Sequence, residues 1–257
     1  PICSVVKMSR ASCRSQARRE PDGLPQANKF GDQLTADHKV LLDNHTSRNG
    51  DKYAIIIQGS CTKRLQAFPT NTKSHEEVIA SFQRFMPLGT KPDHVYTDNS
   101  KEFIKAMAEL NWVHDTSTPY RPETNGVVER AVRRVKEGTA AALFQSGLPE
   151  EWWDDAMQCD CFLHNVYDLL RDGMTAYERR FAEGLVGPII PFGAQVEYKP
   201  ARELDIQRLH AFGKKTHTGI FIGYVQHAGE DGLVMSESSI GKKLNKHRKE
   251  PTFTSSE

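Results

Sequence analysis

The apolar residues of this chain change their spacing along its length, and that change limits the fold more than any other feature. Between Gln33 and Phe68 they come in short strand-like pieces. Gln33–Leu42 alternates loosely, Lys52–Gln58 holds the run Ile55-Ile56-Ile57, and Thr62–Phe68 completes an antiparallel meander. The spacing then turns helical. Thr72 or Ser74 can cap a helix, Glu76 and Glu77 sit in its first turn, Val78, Phe82 and Phe85 share one face, and Pro87 ends it. His94–Thr97 reads as a short strand, Ser100 as the cap of a helix bearing Phe103, Met107 and Leu110, and Trp112–Ser117 as another strand. Thr118–Gly126 is a loop rich in Pro, Asn and Gly. A long helix follows from about Val127 to Gln145, and a further one from Pro149 carries Trp152, Trp153, Met157, Cys161 and Val166. Three strands, then helix and strand in alternation, then helices, predict an α/β fold with a mixed sheet covered by helices.

The ends differ from this middle. Residues 1–30 are basic and irregular, with a turn at Pro21-Asp22-Gly23. Gly184 to Pro191 reads as a boundary, followed by β-like pieces at Ala194–Tyr198, Gly219–Val225 and Leu233–Met235 and a disordered tail from residue 241. The expected division is therefore a basic N-terminal segment (1–30), a core (31–186) and a small β-rich unit with a basic tail (187–257). Net charge is only +1, yet both ends are basic around an acidic middle. That pattern suits a protein that grips a polyanion and holds cations centrally, although flexible ends are often basic for solubility alone. No apolar run approaches the ~20 residues that span a bilayer. Five cysteines, odd in number and scattered, argue against a disulfide framework and for a reducing compartment. The chain starts without Met and shows no signal-peptide core, so it reads as a piece of something longer.

Three carboxylates carry the chemistry. Asp37 lies within the first strand, Asp98 at the carboxyl end of the short strand His94–Thr97, and Glu129 in the first turn of the long helix. If the first and fourth strands are neighbours, both aspartates emerge together, and the helix has only to dock there to bring in Glu129. Converging carboxylates repel one another unless cations lie between them, and hard oxygen ligands favour Mg²⁺ or Mn²⁺. Two such ions suit phosphoryl transfer. On the long helix Glu129, Arg133 and Lys136 share one stripe beside an apolar stripe of Val128, Ala131, Val132, Val135, Ala142 and Leu143. An ordinary surface Glu–Arg pair would leave the same trace. His38 reads as a solvent-exposed strand residue, and Cys159, Cys161, Trp152 and Trp153 as core. The run Lys242–Lys249 reads as a localisation signal, a DNA-binding tail or a solvated surface.

Thr97-Asp98-Asn99 with Glu102-Phe103, followed by Thr118-Pro119-Tyr120-Arg121-Pro122-Glu123-Thr124-Asn125-Gly126-Val127-Val128-Glu129-Arg130, resembles the catalytic core of retroviral and retrotransposon integrases. Gln145-Ser146-Gly147-Leu148-Pro149 with Trp152-Trp153, Thr175-Ala176-Tyr177-Glu178, Phe192-Gly193 and Gly219-Ile220-Phe221-Ile222-Gly223-Tyr224 are similar to Copia-type elements, so the likeness runs over roughly residues 30–225. It implies an RNase H-like core with a five-stranded mixed sheet. It also implies metal-dependent strand transfer of element cDNA ends into target DNA, with Asp37, Asp98 and Glu129 as catalytic ligands of two Mg²⁺ or Mn²⁺ ions. Tyr120 and Asn125 match residues at the DNA end, and Arg133 and Lys136 match phosphate contacts on the helix. The implied partners are element and target DNA and further copies of the chain, without a membrane. The implied location is the nucleus after a cytoplasmic particle stage. Ile2-Cys3 and Lys7-Met8 resemble the tail of the family's zinc module, but with Cys3 alone no zinc is expected. Two features depart from the family: Ser100 replaces the usual Gly, and the interval from Asp98 to Glu129 is short. A decayed or domesticated DNA-binding relative and an RNase H-like nuclease remain the alternative readings.

Overall fold

The computed structural model describes residues 27–41, 43–116, 122–199, 206–207 and 212–224. Five strands, β1 (Gln33–Val40), β2 (Tyr53–Gly59), β3 (Leu65–Thr70), β4 (His94–Thr97) and β5 (His114–Thr116), form one sheet in the order β3-β2-β1-β4-β5. The first three pair antiparallel, and β4 and β5 add in parallel to β1. Helices α1 (His75–Phe85) and α2 (Lys101–Leu110) supply the crossovers to β4 and β5. Then come α3 (Pro122–Ser146), α4 (Trp153–Tyr167), the short α5 (Ala176–Phe181) and a two-stranded antiparallel pair, β6 (Gln195–Tyr198) with β7 (His217–Ile220). Among the described residues no helix is long and apolar enough to cross a membrane.

Both faces of the sheet are covered, and the isoleucine run shows how. Ile55 and Ile57 join Leu34, Ala36, Val95, Val78, Phe82 and Phe103 in the core beneath α1 and α2. Ile56 points the other way, with Ala54, Leu65 and Ala67, and packs on Ala131 and Val135 of α3 and Trp153, Met157 and Cys161 of α4. A strand with both faces buried reads as a continuous apolar run, as seen here. Ser74 caps α1 by accepting the Glu77 N–H at 3.4 Å. Pro69 sits in β3, an edge strand, where its missing N–H breaks no ladder.

Helix α4 is apolar on two sides. Its second side, with Cys159, Phe162 and Val166, meets Phe192, Phe221, Ile222 and Tyr224 from the C-terminal segment. Phe162 and Tyr224 stack at 4.0 Å, and the Tyr224 hydroxyl accepts the Ile190 N–H at 2.6 Å. Gly193 is held at φ 80°, and a Cβ there would lie 2.2 Å from Ser146 Cβ, so only glycine fits that crossing.

Several boundaries differ from the sequence expectation. Helix α3 starts at Pro122, taking in residues expected to be loop. Proline is tolerated at the first helical position, where its absent N–H has no partner to lose. The third strand begins at Leu65, because Ser60, Cys61 and Thr62 form the turn before it. The strand expected at Gly219–Val225 lies at His217–Ile220. Cys3, the expected strand at Leu233–Met235 and the basic tail lie outside the described residues.

Candidate active site

Strand register decides where the carboxylates go. In β1, Asp37 pairs with Ile56, and His38 with Ile55. Paired residues share a face, so Asp37 faces α3 and α4, while His38 faces α1 and α2. In the parallel pairing, Ala36 lies beside Thr97 at the end of β4. One further step places Asp98 beside Asp37, at the carboxyl end of the strand where open α/β sheets build their sites. Asp98 is fixed locally by the Ser100 N–H, which donates to its Oδ1 at 3.3 Å. A further acid near the end of the sheet, Asp115, pairs with Tyr96 in the β4–β5 register and bonds His94 Nε2 at 2.7 Å.

The proximity has an electrostatic signature. The Asp37 carboxyl is pushed up to about 6, first by burial, then by the negative charge of Asp98, with a smaller push from Glu129. The His38 backbone and Lys73 pull the other way. Thus the charges of Asp98 and Glu129 both act on Asp37. Their oxygen donors are of the kind Mg²⁺ or Mn²⁺ takes, and like charges this close gain from a cation. Asp37 and Asp98 are half-buried, whereas Glu129 is exposed on α3. Among the described residues no three His, Cys, Asp or Glu side chains are gathered closely enough to cage an ion.

His38 is not the exposed residue the sequence suggested. Its ring lies 4.3 Å from that of Phe103, and both ring nitrogens are buried without a hydrogen-bond partner. Burial lowers its pKa to about 4, helped by the charge of Lys73. Lys73, which pairs with Glu102 at 3.7 Å, is the residue the sequence analysis missed. It stands in the polar segment before α1, where nothing in the local pattern separates it from a solvated lysine.

The stripe expected on the long helix is present. Val128, Ala131 and Val135 are buried, and Glu129, Arg133 and Lys136 are exposed. Lys136 also borders, with Lys39, Leu41, Val132, Phe144 and Trp153, an apolar groove of about 870 Å³. Asn125 falls within α3, and only its backbone is described. Tyr120 lies outside the described residues.

No family model matches the chain. Its relatives include the retrovirus-related Pol polyprotein of transposon TNT 1-94 from Nicotiana tabacum, 30% identical over 129 residues, which are 46% of this chain and 10% of that polyprotein. The corresponding polyprotein of transposon RE1 from Arabidopsis thaliana is 26% identical over 125 residues, 46% of this chain and 8% of the relative. These relatives that the chain matches are thus retrotransposon Pol polyproteins. The chain spans about a tenth of the length of these curated relatives. Among solved structures, the simian T-cell lymphotropic virus intasome in complex with PP2A regulatory subunit B56 gamma superimposes with a TM-score of 0.51 at 17% identity. That match covers 83% of this chain and 76% of that one. The magnesium complex of the HTLV-2 integrase catalytic core gives 0.47 at 18% identity over 60% of this chain and 99% of that one. The mixed five-stranded sheet with its flanking helices is the RNase H-like fold of integrase cores.

Proposed function

We propose that this chain joins DNA ends to target DNA, as a metal-dependent polynucleotidyl transferase of a Copia-type element. The observation that carries the proposal is the neighbouring of Asp37 and Asp98 across the β1–β4 pairing, with Glu129 on the helix above them. Asp37, Asp98 and Glu129 would hold two Mg²⁺ or Mn²⁺ ions. When bound there, such ions would supply Lewis-acid activation of an attacking 3′ oxygen and charge stabilisation of a leaving oxygen. The chain's own residues do the rest. Asp98, held by the Ser100 N–H, keeps its carboxylate beside that of Asp37. Glu129 is exposed and has no ion-pair partner among the described residues, so its three side-chain torsions can swing it toward the aspartates. Arg133 and Lys136 would clamp DNA phosphates along α3, and Tyr120 and Asn125 would meet the DNA end. The proposed partners are element and target DNA and further copies of the chain, in the nucleus after a cytoplasmic particle stage.

One observation favours a second reading, a relative that binds DNA without chemistry: no three ligand side chains are gathered into a cage among the described residues. A strand-transfer assay separates the two. The purified chain is incubated with a short duplex bearing a recessed 3′ end and a supercoiled target, with Mn²⁺. Joined products from the wild type, lost in Asp37→Asn, Asp98→Asn and Glu129→Gln, support the transferase. DNA binding without joined products supports the second reading. Cleavage without joining supports a hydrolytic nuclease.

A further inference from the structure

Thr97 is the last residue of β4 that the sheet pairs on both sides, with Ala36 of β1 and Thr116 of β5. Asp98 follows, one residue past the paired register. Two short contacts run on from this strand end. The Thr97 hydroxyl donates to the Asp98 carbonyl at 2.7 Å, and the same oxygen lies 2.8 Å from His114 Nε2. His114 pairs with Val95, so it stands on the face of the sheet that carries Val95 and Thr97. Asp98 alternates to the other face, toward Asp37. His94 and Asp115, also on that other face, bond each other at 2.7 Å and leave the Thr97 hydroxyl to His114.

The donors and acceptors along this chain of bonds follow from the groups themselves. A carbonyl oxygen only accepts, so the single hydroxyl proton of Thr97 goes to Asp98. Toward His114 that hydroxyl is left to accept, and Nε2 must carry a proton. Burial pulls the His114 pKa below its ordinary value, which favours the neutral ring with its one proton on Nε2. Thr97 is 0% exposed, so water does not replace His114 as its donor. His114 is itself held by the β4–β5 pairing, where the Val95 N–H donates to the Val113 carbonyl at 2.9 Å. The Ser100 N–H reaches Asp98 Oδ1 at 3.3 Å, long for such a bond, so the direction of that carboxylate depends on the backbone beneath it.

We propose that His114 and Thr97 are positioning residues for Asp98: the Nε2–H of His114 fixes the Thr97 hydroxyl, which in turn fixes the backbone from which the Asp98 carboxylate reaches the site. A functional side chain has to be held within ~0.5 Å of its working place, and partners behind it supply that hold. This inference rests on the metal-dependent reading above. The test uses the full chain and two readouts besides DNA joining. Long-range nitrogen–proton correlation on protein with labelled histidine should show His114 as the Nε2–H tautomer. Mn²⁺ affinity, read from the electron paramagnetic resonance of the free ion, should fall ~10-fold or more in Thr97→Val and in His114→Leu. Thr97→Ser keeps the hydroxyl and His114→Gln keeps a donor near the Nε2 position, so both should recover most of that affinity. Thr97→Val and His114→Leu should each melt only about 2–4 °C below the wild type, the loss of one hydrogen bond. An Nδ1–H tautomer in the wild type overturns the proposal. So do Thr97→Val and His114→Leu proteins that melt lower yet bind Mn²⁺ as the wild type does, since the bonds are then structural only. Should Thr97→Val fail to fold, the wild-type tautomer and His114→Leu on the edge strand decide alone. A wild type that binds no Mn²⁺ overturns the metal-dependent reading together with this one, whereas unchanged affinity in the variants of a Mn²⁺-binding wild type overturns this one alone.

Discussion

Removing the Asp98 charge should stabilise the metal-free protein, and Mn²⁺ should reverse the order. Asp37 titrates at about 6 in the folded protein against an ordinary 3.8. Its folded value lies above its unfolded one. The stability it contributes is therefore fully present below about pH 3.8 and lost as pH rises through about 6. The whole shift corresponds to no more than ~3 kcal/mol. Burial is its first cause and water screens part of the site, so the share owed to Asp98 is about 1 kcal/mol or less. Asp98→Asn keeps an oxygen to accept the Ser100 N–H, so the turn survives. At pH 7.5 without metal the variant should melt ~2–4 °C above the wild type for each kcal/mol recovered. At pH 5, where Asp37 is mostly protonated, the difference should shrink. With Mn²⁺ at ten times its Kd, the wild type should gain ~1.4 kcal/mol, and the variant much less. Melting curves at two pH values with and without Mn²⁺ measure all four terms. A variant that melts below the wild type without metal at pH 7.5, or Mn²⁺ raising both proteins equally, would rule out charge repulsion between Asp37 and Asp98 at a metal site.

Other outcomes follow from the same structure. Arg133→Ala with Lys136→Ala should weaken binding to all duplexes and lower the salt slope by roughly 1–2, measured by titration from low to high salt. Gly138→Ala should destabilise the fold by ~1–3 kcal/mol, since a Cβ there would lie 1.9 Å from Asp160 Oδ2. Denaturant unfolding checks this, and the added Asp160→Ala should recover much of the loss. Asp51 is raised to about 6 by burial first and then by Asp154 and Glu77, so its contribution is likewise lost as pH rises through about 6. Asp51→Asn should therefore raise the melting temperature at pH 7.5 by an amount worth no more than ~1 kcal/mol after screening, and change it little at pH 4.

The sheet was legible because its strands carry their own pattern. His94–Thr97 was read at its observed bounds, and the adjacency of the first and fourth strands, which the sequence left as a condition, is met by their parallel pairing. The α3 stripe was legible because apolar residues at helical spacing leave no second face for Val128, Ala131 and Val135. Where reading failed, the deciding contact was distant in sequence. His38 looked exposed because one face of a strand usually meets solvent, but here α2 covers that face with Phe103. The Pro-rich stretch before Glu129 looked like a loop, because composition does not reveal that a helix can begin on its proline. Lys63 gave no turn signal of its own, and its left-handed backbone departs from the residue preferences that mark turns. Gly193 was noticed only for its likeness to relatives; its physical reason, the close passage of Ser146, needs the fold.

By the proposed function, Asp37, Asp98 and Glu129 share metal ions. Anomalous diffraction at the manganese edge, from crystals of the chain soaked in Mn²⁺ with and without a DNA end, tests it most directly. Peaks are expected within ~2.0–2.4 Å of the carboxylate oxygens of Asp37 and Asp98, with Glu129 turned inward, and a second peak when DNA is bound. No peak at these residues at millimolar Mn²⁺, or a peak only at another acidic pair such as Asp51 and Asp154, would contradict it.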